Sequence, residues 1–191
     1  MVDPFYDRLF NMRIAFVFCF IIAMLAMNPK ALKSGDIPAK AEFIITLSWP
    51  DMNPNDIDLW LQDPGGNLLR YRARAAGLMH LDRDDRGPAN DSIVVNGKSI
   101  VNPLNQEVVT LRGVVPGEYT VNAHCCDSKD GKPVEVAVSI LKVTPRAEVT
   151  FYGAMTQARK GDEATAARFT VLPGGSVANI KTLPKKPVQR I

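Results

Sequence analysis

Six aspartates define the chemistry that this 191-residue chain can offer. Asp56 and Asp58 stand two apart in D-I-D-L-W-L-Q, and Asp82, Asp84, Asp85 and Asp91 follow within the irregular stretch from Ala73 to Asp91. Calcium takes roughly six to eight oxygens from carboxylates and loop carbonyls, so an acidic loop folded against an acidic strand edge supplies ligands of the right kind. Arg74, Arg83 and Arg86 lie in the same stretch and can neutralise the same aspartates as exposed ion pairs. The spacing D-R-D-D-R-G also departs from the calcium-loop form D-x-D-x-D-G. Two readings of one composition therefore stand side by side: a calcium site on Asp56, Asp58, Asp82, Asp84, Asp85 and Asp91, or a salt-bridged surface. No other cofactor is expected.

The remaining reactive groups are few. His124, Cys125 and Cys126 are consecutive in an expected strand, which places the first and third on one face and the second on the other. Zinc at this point would need ligands from elsewhere, and the preferred reading is structural, with Cys125 in the core beside Tyr119, Val121 and Ala123. His80, between Leu78, Met79 and Leu81, reads as a packed loop residue. Trp60 alternates with aspartates, so it is either an exposed aromatic that anchors a ligand or a tryptophan half-covered by the long loop. With no G-x-S-x-G, no H-E-x-x-H and no glycine-rich phosphate loop, an enzyme is not expected.

Strands position these groups. Ile57, Leu59 and Leu61 alternate with Asp56, Asp58, Trp60 and Gln62, the period of two of a half-buried strand. Asp63-Pro64-Gly65-Gly66-Asn67 then reads as a turn, from its fixed proline φ, permissive glycines and Asx group. A further strand is expected from Leu68 to Arg72. Phe43, Ile45, Leu47 and Trp49 alternate in an earlier strand that stops at Pro50. Asn96-Gly97 between Ile93-Val94-Val95 and Ser99-Ile100-Val101 predicts a hairpin with a type I′ turn. Gln106 to Arg112, a strand with Tyr119, Val121 and Ala123 on one face entered through the turn in Val114 to Val121, Val134 to Val143, Ala147 to Tyr152 and Ala164 to Leu172 complete about ten short strands, the pattern of an all-β antiparallel sandwich or jelly roll. The stretch from Ala73 to Asp91 is too long for an idle loop and is the expected functional loop, with His80, Asp82, Arg83 and Arg86 as binding residues beside Trp60.

The segment D-x-D-L-x-L-x-D-P-x-G-N from Asp56 to Asn67 resembles the strand-turn-strand of extracytoplasmic β-sandwich modules such as the pre-peptidase C-terminal domains and related periplasmic domains. P-G-x-Y-x-V from Pro116 to Val121 is similar to fibronectin-type sandwiches. The resemblance implies a fold, with calcium sites near such loops in those domains, and names no activity. G-L-M-H-L-D-R-D-D-R-G is similar to a pattern in uncharacterised proteins of tailed phages.

Ahead of the sandwich, Ile14 to Met27 is an uninterrupted apolar run. It predicts a membrane-spanning anchor over 14–32, with Leu9, Phe10, Met12, Ala31 and Leu32 lengthening the span and Arg13 and Lys30 reaching the headgroups. A cleaved signal peptide is the rival, disfavoured because no small-residue pair stands at the cleavage positions around Ala23 to Asn28. Residues 1–13 form a short tail, 33–40 a linker, 41–172 the sandwich and 173–191 a flexible basic tail. A net charge of +3 with scattered basic residues gives no nucleic-acid groove. Together these features predict a single-pass, periplasmic-side binding module for a protein or envelope polysaccharide. The alternative is a subunit that accompanies a polytopic membrane protein, with the layout of the single-helix stator partners of the ExbD and MotB kind. Those partners carry an intramembrane aspartate, and Ile14 to Met27 has none.

Overall fold

The computed structural model of the chain describes residues 4–27, 41–87 and 91–187. It divides into two compact units, Met1–Pro38 and Ala39–Ile191. In the first, α1 (Pro4–Met27) is a single helix. It begins ten residues before the apolar run, because Pro4 has the φ of a first helical residue and Asp7 in the first turn complements the helix dipole. The expected separate tail over 1–13 is therefore helical from Pro4 onwards. Ile14, Phe16, Val17, Phe18, Phe20, Ile21, Ile22 and Met24 are all exposed, so the helix is apolar around its circumference rather than along one stripe. Among the described residues, no helix is long and apolar enough to cross a membrane. The linker 33–40 and the last residues of the expected anchor lie outside the described residues.

The second unit is all-β. In chain order its strands are β1 (Phe43–Trp49), β2 (Asp56–Gln62), β3 (Leu68–Leu69), β4 (Ala75–Ala76), β5 (Met79–Arg83), β6 (Ser92–Val95) and β7 (Lys98–Val101). They continue with β8 (Asn105–Leu111), β9 (Gly117–Asp127), β10 (Val134–Lys142), β11 (Glu148–Gln157), β12 (Glu163–Val171) and β13 (Val177–Lys181). One antiparallel sheet has the order β11-β10-β1-β8-β5-β4 and the other β13-β12-β9-β2-β3, while β6 and β7 form a hairpin of their own. Alternate residues of both sheets bury one shared core, Phe43, Ile45 and Leu47 with Val136, Val138 and Ile140 in one layer and Leu59, Leu61, Val121 and Phe169 in the other. This is a sandwich-like architecture. The Phe169 ring lies 5.8 Å from Phe43 and 5.3 Å from Tyr119, tying the layers together.

The expected turns form for the reasons their residues suggest. The Asp63 carboxylate accepts hydrogen bonds from the Asn67 N–H (2.8 Å) and side-chain amide (2.7 Å), with Gly66 at φ +83°. The Tyr119 hydroxyl donates to the Val115 carbonyl and accepts from the Val115 N–H, fixing the corner before β9. Gly117 cannot be replaced there: its φ is +138°, and a Cβ would stand 2.5 Å from Pro64 Cβ. Asn96 and Gly97 both take positive φ, as a type I′ hairpin requires.

Two segments differ from expectation. Part of the long loop is strand: Met79 and Leu81 of β5 are buried and pair with Leu111 and Val109 of β8. The alternation M-H-L-D-R that produces this is only five residues long. The basic tail is not free over its described part either, because β13 pairs with β12, and the Lys185 carbonyl accepts from Asn122 and Thr165 side chains. Glu118 fastens it electrostatically. Partial burial opposes ionisation of Glu118, but hydrogen bonds from Arg168, Lys185 and Lys181 outweigh it and lower its pKa to about 2. A depressed carboxylate pKa gives stability that is present above pH 4.5 and lost as pH falls towards 2. Glu118→Gln is accordingly expected to cost about 1 kcal/mol near neutral pH, the scale of a partly exposed ion network. It should also speed amide exchange in 177–187, measured by hydrogen–deuterium exchange; unchanged exchange there would contradict the docking role.

Candidate metal centre

Cross-strand register assembles the site. β2 and β9 pair antiparallel, and Asp58 lies directly opposite His124. Asp56 pairs with Asp127 and Ile57 with Cys125, so Cys126 is an extra residue at a β-bulge. Bulges re-aim side chains. Cys125 stays in the core, while the Cys126 Sγ comes within 4.8 Å of ligand atoms on both Asp58 and His124. Trp60, two residues on, lays its ring against the His124 imidazole at 4.5 Å and 17°, which sets the orientation of that imidazole.

A second set of oxygens arrives from the other layer. β3 pairs with β2 only at Leu61 and Gln62, so the backbone edge of β2 is open at Leu59. Glu107 of β8 points inward beside Val109 and Leu111, and its Oε2 accepts the Leu59 N–H at 2.6 Å. Asp84 follows β5. It is held there by its neighbour, because the Asp85 carboxylate accepts from the Gly87 and Gln106 N–H groups and pairs with Arg83 at 2.8 Å. Ligand oxygens of Asp58, Asp84 and Glu107 all lie within 4.8 Å of one another. With calcium–oxygen bonds of ~2.4 Å, a small inward rotation of these side chains lets one ion reach all three.

Four atoms in this cluster are unsatisfied where satisfaction is expected. Asp58 is 2% exposed and Glu107 1%, yet Asp58 Oδ2 and Glu107 Oε1 have no hydrogen-bond partner; Asp56 Oδ1 and His124 Nδ1 share that condition. Buried carboxylate oxygens left in this way are costly unless a cation or a proton compensates. The electrostatics agree. Burial, then Asp58 and Asp84, raise the pKa of Asp56 to about 6. Burial and the same aspartates hold Glu107 well above the ordinary carboxylate range, against its backbone hydrogen bond. Burial and the adjacent Asp58 also push the Cys126 thiol upwards. Above the cluster opens a pocket of about 340 Å³ lined by Asp56, Asp58, Tyr71, Asp84, Arg86 and Cys126.

The six aspartates named from sequence therefore separate. Asp58 and Asp84 converge with Glu107, and Asp56 lines the same pocket without joining that group. Asp82 turns to the outer face of the β5–β8 pair, where it meets Arg112 at 3.0 Å and Thr110. Asp85 is committed to its loop, and Asp91 accepts the Asn102 N–H through its backbone at the foot of the β6–β7 hairpin. Neither belongs to a metal-competent group among the described residues. The salt-bridged reading holds for Arg83 with Asp85 and, at 3.5 Å, for Arg74 with Asp84. Among the expected binding residues, Arg86 lines the pocket, whereas His80 sits in β5 between Ala75 and Thr110, away from it. Trp60 is 9% exposed and packs on His124, so it is the covered tryptophan and not an exposed anchor. Sequence reasoning missed Glu107 and did not join His124 and Cys126 to Asp58. The available signal for Glu107 was an acidic residue at an inward position of an alternating strand. Comparison of the chain with protein-family models, with curated proteins and with solved structures finds no match.

Proposed function

We propose that this chain is a membrane-tethered, non-enzymatic binding module whose sandwich carries a calcium-class cation on Asp58, Asp84 and Glu107, with Asp56 in the lining of the pocket above. The cation presents open coordination positions to an extracytoplasmic protein or polysaccharide partner. The observation that carries this reading is the pair of buried, unpartnered oxygens, Asp58 Oδ2 and Glu107 Oε1, beneath a pocket open to solvent. An all-oxygen ligand set selects a hard cation. Three carboxylates cannot complete the roughly six to eight ligands of calcium as single donors, so water or partner oxygens fill the rest. Tyr71, 36% exposed, and Arg86 at the pocket rim supply stacking and positive charge for hydroxyl or carboxylate groups on the partner.

The tether is supported by α1. Its exposed apolar side chains between Ile14 and Met24 suit a lipid surface better than a groove on one partner, while no helix among the described residues is long and apolar enough to cross a membrane. The full chain is expected to resist extraction from membranes by alkaline carbonate. It is also expected to bind envelope polysaccharide or an envelope protein in the presence of calcium and to release it on chelation, with Asp84→Asn weakening the binding at least tenfold. Binding that is indifferent to chelator sinks the cation-mediated reading, and extraction by carbonate sinks the tether.

A further inference from the structure

We infer that the same pocket holds a second, softer cation of the zinc class on Asp58, His124 and Cys126, so that Asp58 bridges two metals. It rests on the calcium reading only through Asp58, which both sites share.

The argument begins with the bulge. A regular β2–β9 ladder would need no residue between the partners of Asp56 and Ile57, yet Cys126 is inserted there, and its sulfur approaches Asp58 and His124. The three donors are an oxygen, an imidazole nitrogen and a sulfur within 4.8 Å of one another, with Asp58 Oδ2 and His124 Nδ1 3.8 Å apart. Both of those atoms lack a hydrogen-bond partner, and Asp58 is almost wholly buried. An imidazole nitrogen facing a carboxylate oxygen without bonding to it is the arrangement a shared metal would leave. Tetrahedral zinc, with bonds of about 2.0–2.3 Å, places its ligand atoms roughly 3.3–3.6 Å apart, a distance that side-chain rotation here can reach.

The donor chemistry separates this site from its neighbour. Thiolate and imidazole favour zinc or cobalt, whereas Asp84 and Glu107 offer oxygen alone. Three protein ligands leave a fourth position to water or to a group entering the pocket, which Cys126 also lines. The Trp60 ring stacked on His124 at 4.5 Å holds the imidazole in place.

Cobalt(II) alone, titrated into the full chain in detergent, reports the site. The expected result is one equivalent bound with a thiolate-to-cobalt charge-transfer band in the near ultraviolet and the strong visible bands of a four-coordinate ion. Cys126→Ser should abolish the charge-transfer band and weaken cobalt binding at least tenfold, while leaving the calcium-induced rise in melting temperature intact. Glu107→Gln should do the reverse, removing the calcium response and keeping the band. Absence of a thiolate band in the unmodified chain overturns the second site whatever calcium does. A band that survives Cys126→Ser and disappears in Cys19→Ser or Cys125→Ser overturns it equally.

Discussion

Glu107→Gln is expected to stabilise the metal-free protein by about 1–2 kcal/mol at pH 7.5 while removing its stabilisation by calcium. The glutamine oxygen can keep the hydrogen bond from the Leu59 N–H, and its amide can donate towards Asp58, so a repulsive contact becomes an attractive one. The same cluster fixes the pH dependence. Asp56 has a folded-state pKa of about 6 against 3.8 unfolded, and burial raises Glu107 in the same direction. A carboxylate with a raised pKa binds its proton more tightly when folded, so its stabilisation is complete below about pH 4 and is lost as pH rises through 6. The Asp56 shift alone corresponds to about 3 kcal/mol, which solvent screening of a half-buried side chain reduces to about 1–2. Metal-free protein should therefore melt at progressively lower temperature from pH 4 to pH 6 and beyond, and saturating calcium should flatten that fall. Differential scanning calorimetry with and without chelator measures both, and a metal-free melting temperature that rises over this interval would contradict the buried-carboxylate account. The Glu118 network acts in the opposite sense but below pH 4.5, so the two effects occupy separate windows.

Phe169→Ala is expected to cost about 3–5 kcal/mol, the largest single loss foreseen in the sandwich. Phe169 is fully buried and touches Phe43 of the other layer and Tyr119 of its own, so truncation opens a cavity between the sheets that neither neighbour can fill without leaving its rotamer. For a domain of this size the melting temperature should fall by about 10 °C. Leu172→Ala, three positions on at an exposed site, should change it little. A loss below about 1 kcal/mol for Phe169→Ala would mean that the two layers do not share this core.

Much of the architecture is legible in local pattern. The alternation I-D-L-W-L places β2 at Asp56–Gln62, where the strand is buried on both faces rather than half-buried because Asp58, Trp60 and Gln62 are covered too, and D-P-G-G-N and N-G place their turns through positive-φ requirements that act over a few residues. β5 and β13 escape that reading, the first because five residues of alternation sit inside a polar stretch, the second because V-A-N-I-K lies in a tail rich in proline and lysine. The site divides along the same line. Asp56, Asp58 and Asp84 are visible as clustered carboxylates, but sequence spacing cannot tell Asp84, aimed at the pocket, from Asp82 and Asp85, aimed elsewhere. Glu107 enters across the gap between the sheets, and His124 and Cys126 enter through register and a bulge. Those are long-range facts, set by which strands pair and where one residue is inserted.

Calorimetric titration of the chelator-treated full chain with calcium at neutral pH, repeated on Asp58→Asn, tests the central claim most directly. Saturable binding in the unmodified chain, accompanied by a rise in melting temperature and lost in Asp58→Asn, is the expected result. No binding heat and no thermal shift in the unmodified chain up to millimolar calcium would contradict it.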